Sequence, residues 1–264
     1  MKIRIVYHSS HGNTHLVAKS IAAGFHSHDH QVELHPAKDF NPELAADCDL
    51  LGIGSAVYVW KHAEVIENIL EQMPDLFVKP AFLFVTYSGD PGNTLKYMRD
   101  KLAKRRAKVL AAHKCLGEES YPWLRSRFRV PAKGHPDEHD LDTAAAFADR
   151  VLQSYEQFVD DPVGFAGLDF PFNRDLFYYM SLAAPFGDVE RTIGRRSCDY
   201  DRCTRCGECV KRCPASCIEM GQSGPIFHEG CIGCCGCYNL CPEGAIQAVM
   251  FPGRRNRYRG RWNG

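Results

Sequence analysis

Eight cysteines in this chain fall on one repeated pattern. Cys203, Cys206, Cys209 and Cys213 are spaced Cys-x₂-Cys-x₂-Cys-x₃-Cys and followed by Pro214. Cys231, Cys234, Cys237 and Cys241 repeat that spacing 28 residues later, before Pro242, and Ile218 recurs as Ile246 at the same offset. The segment is an internal duplication. Three thiolates two intervening residues apart wrap one face of a cubane iron–sulfur cluster, while the fourth lies too far along the chain and points at the other copy's cluster. The spacing therefore predicts two 4Fe-4S clusters, one on Cys203, Cys206, Cys209 and Cys241, the other on Cys231, Cys234, Cys237 and Cys213. Cys-x₂-Cys also ligates zinc, but zinc sites use two spaced pairs rather than three tight steps ending in Cys-Pro. A disulfide framework would suit a short secreted chain rather than this one.

The segment from about residue 198 to 250 resembles bacterial two-cluster ferredoxins. Eleven of the thirteen cysteines lie between Cys198 and Cys241, a concentration that metal in a reducing compartment would maintain. The first residues, Met1 to Tyr7, run straight into a strand pattern without a signal-peptide core, so the expectation is a cytoplasmic protein. No stretch is apolar for long enough to span a membrane. Lys plus Arg balances Asp plus Glu at 32 each, which argues against nucleic acid or a membrane surface as the partner. At 264 residues there is room for two domains.

The chain ahead of the cysteines alternates apolar strands with helices. Ile3–Tyr7 is a strand, and a small polar loop, Ser9, Ser10, His11, Gly12, Asn13 and Thr14, leads into a helix with Leu16, Val17, Ile21 and Phe25 on one face. Such a loop offers amides and hydroxyls at a helix N-terminus, where an anion such as phosphate is favoured. It is neither a Walker loop nor a dinucleotide fingerprint; Gly52 and Gly54 are only two of the glycines the latter needs. Further strands are expected at Gln31–His35, Asp49–Gly54, Pro80–Tyr87 and Ala107–Leu116, and helices from about His62 to Gln72, through Arg105, and from Leu141 to Phe158. That order predicts a doubly wound five-stranded parallel sheet, order 2-1-3-4-5, with ligands outside the strand carboxyl ends at the switch point.

Residues 1–159 resemble flavodoxins, whose phosphate loop is matched here at Ser9, Gly12, Asn13 and Thr14, with His11 in place of a usual Thr. The resemblance implies FMN, with its phosphate on Ser9 to Thr14. It also implies that Ser55, Ala56, Val57, Tyr58, Val59 and Trp60, and the loop of Tyr87, Ser88, Gly89, Asp90, Gly92 and Asn93, flank the isoalloxazine ring. Tyr58, Trp60 and Tyr87 are the aromatic candidates for stacking, or else strand-end core.

Residues 160–197 form an aromatic-rich linker, with Phe165, Phe170, Phe172, Phe177, Tyr178 and Tyr179 among Pro and Gly and a short helix expected at Leu176–Leu182. Its apolar character predicts packing between the domains rather than a flexible tether. Residues 198–251 form a small α+β ferredoxin-like domain. Residues 252–264 form a tail with Arg254, Arg255, Arg257, Arg259 and Arg261 that either clamps an acidic partner or nucleic acid, or is a disordered or domain-hugging solvated tail. His26, His28 and His30 fall in an exposed loop, and Cys48 and Cys115 read as core. Cys198, Cys217 and Cys235 lie close to the clusters, as buried small residues, as groups that tune them or as substitute ligands.

The whole chain resembles a flavodoxin–ferredoxin fusion. The expectation is an electron-transfer protein of anaerobic metabolism that exchanges electrons between FMN and two 4Fe-4S clusters and with redox partner proteins, within one chain or across a homodimer. The rival is an FMN-dependent reductase of a small molecule, since Ser55–His62 also resembles the flavodoxin-like protoporphyrinogen oxidases; Trp60, Lys61 and His62 would then line a substrate cavity. A third reading is a redox sensor acting through the arginine tail.

Overall fold

In the computed structural model, which describes residues 1–127, 130–183, 193–248 and 257–262, β1 (Lys2–His8) is an interior strand of a sheet. It pairs in parallel with β2 (Gln31–Pro36) on one side and β3 (Leu50–Tyr58) on the other. Next come β5 (Lys79–Tyr87) and β6 (Ala107–Leu116), again parallel, so the parallel order is β2-β1-β3-β5-β6. This is the expected doubly wound α/β sheet. A two-residue strand, β4 (Lys61–His62), turns back antiparallel on the end of β3. The expected helix from His62 therefore starts later, as α2 (Glu64–Gln72), because Val59 and Trp60 take positive φ and fold the chain into a tight hairpin.

Both faces of the sheet are covered, which is why its strands read as continuous apolar runs. On one face Leu51, Ile53, Leu83 and Val85 pack with Ile66 and Leu70 of α2 and Met98 and Leu102 of α3 (Thr94–Lys104). On the other, Ile3, Ile5, Phe82 and Phe84 meet Val17, Ile21 and Phe25 of α1 (Asn13–His26) and Phe147 and Val151 of α5 (Glu138–Asp160). Each such buried side chain contributes about 1.5–3 kcal/mol. Gly52 and Gly54 make room for the rings of Phe82 and Phe84, which lie where a Cβ would stand. Between β6 and α5 runs the short helix α4 (Pro122–Arg127).

After α5 the chain passes over the sheet's own loops. Phe165 stands edge-on to Phe158, Leu168 N–H donates to Val109 O at 2.6 Å, and Asn173 and Asn93 exchange two hydrogen bonds of 2.8 and 2.9 Å. Helix α6 (Leu176–Leu182) is capped by Asp175 and stacks Phe177 on Trp60. The cysteine-rich segment has the two-fold form of a duplication: β7 (Arg196–Cys198) pairs with β10 (Ile246–Ala248), and β8 (Ile218–Met220) with β9 (Pro225–Phe227), both antiparallel. Between the strands lie two short helices, Glu208–Lys211 and Gly236–Leu240. Arg254 and Arg255 of the expected tail lie outside the described residues. Among the described residues no helix is long and apolar enough to cross a membrane.

Candidate functional site

The eight patterned cysteines surround two cavities. Cys203, Cys206, Cys209 and Cys241 line one, with Pro225 and Ala245. Cys213, Cys231, Cys234 and Cys237 line the other, with Arg196, Cys217 and Cys235. Each cavity thus takes three thiols from one copy and its fourth from the other. A set of four convergent sulfurs is the donor chemistry a 4Fe-4S cluster needs, so the residues present fit that group. Burial pushes the Cys237 thiol up to about 12, so ligation by this thiol would release a proton. Hydrogen bonds from Cys213 and Cys231, then Arg196, pull the Cys217 thiol below its ordinary value. Cys198, beside Cys203, is pushed up to about 12 by burial and by that neighbour.

The loop Ser9–Thr14 sits where β1 hands over to α1. Gly12 caps the helix at φ 98°, a left-handed conformation that favours glycine, and its N–H donates to Ser9 Oγ at 3.1 Å. Ser10 Oγ lies 2.8 Å from Tyr58 Oη and 3.0 Å from His8 Nε2, and the Thr14 and Thr86 hydroxyls meet at 2.7 Å. Hydroxyls, a glycine turn and first-turn amides suit a phosphate, so the donor chemistry fits FMN. The loop is also covered by the chain's own C-terminal part. A Cβ on Gly236 would stand 3.5 Å from Cys234 Sγ and 3.8 Å from Ser10 O, so the cysteine loop and the polar loop are in van der Waals contact. Arg261 N–H donates to His11 O at 2.6 Å, and the Arg261–Trp262 peptide presses on Gly12, where a Cβ would come within 2.6 Å of Arg261 carbonyl carbon. The cysteine loop and the tail therefore converge on the polar loop.

Asn239, fully buried, joins these parts. Its Nδ2 donates to Ser120 O at 2.9 Å and lies 3.0 Å from His11 Nε2, while its Oδ1 accepts from Tyr258 N–H at 3.1 Å. The amide donating to His11 Nε2 makes that nitrogen the acceptor and leaves the other N–H for the Cys235 carbonyl, so the network assigns a neutral imidazole. Burial lowers His11 to about 3 and His8 to about 4. Tyr258 Oη donates to Asn13 Oδ1 at 2.7 Å. Burial raises Tyr58 well above the ordinary tyrosine value, keeping its hydroxyl protonated beside Ser10.

The second and third loops expected at the flavin converge on the same end of the sheet. Ser55 Oγ accepts from Ala63 N–H at 2.9 Å, tying β3 to the start of α2. Ala56, Val57 and Trp60 are half-buried and Val59 is exposed. Gly92 abuts Trp60, Ser88 Oγ donates to Glu119 Oε2 at 2.6 Å, and Asn93 is buried. Tyr87 is half-buried, and Gly89 and Asp90 are exposed. His62 lies 2.6 Å from Glu67. His28, outside this region, pairs with Asp149 at 2.7 Å, and His26 contacts His30 O at 3.0 Å.

Sequence reasoning did not reach Asn239, Tyr258 or Arg196. The aromatic Tyr258 and Trp262 among the arginines were the signal that the tail packs.

Comparison with known proteins agrees with the two halves. The flavodoxin domain family matches residues 4–129, and the 4Fe-4S binding domain family matches residues 199–219. An uncharacterized protein of Methanocaldococcus jannaschii is 31% identical over 158 residues, which is 58% of this chain and 100% of that protein. The pyruvate synthase subunit PorD of the same organism is 36% identical over 53 residues, 19% of this chain and 62% of that subunit. A solved flavodoxin from the Archaea, 18% identical, covers 59% of this chain and 99% of its own with a TM-score of 0.45. A flavodoxin domain implies FMN, a 4Fe-4S domain implies iron–sulfur, and both imply electron transfer with redox partners. With the flavodoxin sheet at its N-terminus and the 4Fe-4S segment behind it, the chain belongs to the flavodoxin–ferredoxin fusion proteins.

Proposed function

We propose that this chain relays electrons between one FMN and two 4Fe-4S clusters, and exchanges them with redox partner proteins. Cys203, Cys206, Cys209 and Cys241 hold the outer cluster; Cys231, Cys234, Cys237 and Cys213 hold the inner one. Ser9–Thr14 receive the flavin phosphate, and the loops Ser55–Trp60 and Tyr87–Asn93 flank its ring. When bound, the flavin supplies a two-electron store and the clusters supply one-electron steps. The domain limits that go with this reading are 1–159, 160–197, 198–251 and 252–264.

The observation that carries it is the contact between the Cys234–Gly236 loop and Ser10 within a single chain. That contact places the inner cavity against the phosphate-type loop with no solvent layer between. The side chains that a reductase would turn towards a substrate support the carrier reading instead. Trp60 is stacked on Phe177 with centroids 5.0 Å apart, and His62 is buried against Glu67.

The test is anaerobic stepwise reduction of protein reconstituted with iron, sulfide and FMN, followed by visible and EPR spectroscopy. Near eight iron and one FMN per chain are expected, with electrons given to the clusters passing promptly to the flavin. Cys241→Ser is expected to disturb the outer cluster and Cys213→Ser the inner one. Flavin that stays electronically isolated from the clusters overturns the relay.

A further inference from the structure

Because the cysteine segment is a duplication, differences between its copies can be read position by position. Strand pairing sets the match: Cys198 faces Ile246 and Arg196 faces Ala248 in one ladder, as Phe227 faces Ile218 and Pro225 faces Met220 in the other. Arg196 therefore corresponds to Pro225. By the 28-residue repeat Cys217 corresponds to Ala245. Arg196 and Cys217 line the inner cavity, and Pro225 and Ala245 line the outer one. The inner cavity thus has a guanidinium and a fifth thiol where the outer has a pyrrolidine ring and a methyl group.

Arg196 is held in place. Its Nη2 donates to His228 O at 2.9 Å, its guanidinium lies 5.1 Å from the Phe227 ring centroid, and its Nη1 donates to Cys217 Sγ at 3.4 Å. Cys217 Sγ is in turn 3.6 Å from Cys213 Sγ. Among the described residues lining the inner cavity, Arg196 is the one with a charge. The outer cavity is lined by Arg205, Glu208 and Glu243. There Arg205 is exposed and donates to Gln222 O at 3.0 Å, and Glu208 pairs with Arg212 at 2.6 Å, so the local field is screened and no fixed positive charge dominates it.

We infer that Arg196, directly and through Cys217, is the residue that raises the reduction potential at the inner cavity and leaves the outer one unchanged. The inference rests on the two-cluster reading above. A low-potential one-electron donor loses one electron and the thiolate-ligated centre gains it, without a proton, so negative charge at the sulfurs grows. A fixed cation and N–H···S contacts stabilise that added charge. Burial opposes it, since the more charged form is costlier to bury, but the same low dielectric leaves the half-buried guanidinium unscreened. The bias favours electrons at the cavity lying against the flavodoxin loop.

The test is an EPR-monitored redox titration of the cluster-loaded full chain, wild type against Arg196→Gln, Arg196→Lys and Glu243→Gln, with dithionite as donor and iron counted in each sample. Arg196→Gln is expected to lower one of the two reduction steps and leave the other in place. Arg196→Lys, which keeps the charge, is expected to stay close to wild type, and Glu243→Gln to raise the step that Arg196→Gln does not move. Equal shifts of both steps, no shift, or a Lys variant as low as the Gln variant would each overturn the assignment. If Arg196→Gln loses iron, the Lys and Glu243 variants decide it: a Lys variant with lowered potential, or a Glu243→Gln variant that moves both steps, counts against it. An iron count near four in the wild type would instead remove the two-cluster reading, a separate failure.

Discussion

Replacing Asn239 tests whether the cysteine segment is anchored on the flavodoxin sheet as the contacts indicate. Asn239→Ala removes three hydrogen bonds from a fully buried site and leaves Ser120 O, His11 Nε2 and Tyr258 N–H without that partner. At about 0.5–1.5 kcal/mol net for each, the loss is about 3 kcal/mol. Unfolding entropy of about 2.1 cal/mol/K per residue makes that a fall in Tm of about 5 °C for a chain of this length. Asn239→Asp carries a sharper signature. A carboxylate there would face the Ser120 carbonyl and the acceptor nitrogen of His11, which can relieve it only by taking a proton. His11 would then change from a group held below its unfolded pKa to one raised above it. Wild-type stability is full above the ordinary imidazole range and falls as the pH drops towards the folded value of about 3. The Asp variant should behave in the opposite way, gaining relative to wild type as the pH falls from 8 to 5.5. Thermal unfolding of the cluster-loaded protein by circular dichroism at the two pH values measures both. An Ala variant that loses less than about 1 kcal/mol, or an Asp variant with the wild-type slope, refutes the anchoring role.

Two further outcomes follow from the same interface. Gly12→Ala forces a side chain into a left-handed conformation, at about 1–2 kcal/mol, and drives its Cβ against the Arg261 carbonyl; the tail should lift and trypsin should cut after Arg257, Arg259 or Arg261 faster than in wild type, whereas unchanged protection would show that the tail is not seated on Gly12. His8 and His11 are both held neutral by burial, at about 4 and about 3, so from about pH 6.5 downward the unfolded chain binds protons that the folded chain refuses. Each histidine then removes about 1.4 kcal/mol per pH unit, and His11→Gln should flatten the urea midpoint between pH 6.5 and 5; a His11→Gln slope equal to wild type would count against this account.

What could be read from the sequence is what local covalent geometry writes into spacing. The two-residue steps between cysteines are set by the size of one cluster face, so the pattern named the same four thiols that the fold gathers round each cavity. The strand–loop–helix at Ser9–Thr14 is equally local. The hairpin at Val59 and Trp60 was missed because positive φ at two apolar residues runs against their propensity and is imposed by tertiary packing. Helix periodicity alone therefore placed the start of α2 two residues early. Asn239 and Tyr258 meet His11 and Asn13 across 228 and 245 residues, and no periodicity records a contact at that range.

The arginine tail shows what charge counting leaves open. A run of arginines reads as a surface for acidic partners, yet Arg257 donates to the carbonyls of Tyr238 and Ile246, Arg259 to Cys241 O, and Arg261 to Pro136 O and Gly134 O. Backbone carbonyls have no identity in the sequence, so these acceptors could not be foreseen. A guanidinium that spends its donors on carbonyls inside the chain has fewer left for a carboxylate outside it, and this weighs against a sensor that works by grasping an acidic partner with these three residues. The same donors hold the tail across the junction of the two halves, with Arg257 on the cysteine segment and Arg261 on the flavodoxin side. Charge that composition left open between recognition and a domain-hugging tail is used in the fold to keep the inner cavity pressed against the loop at Ser10.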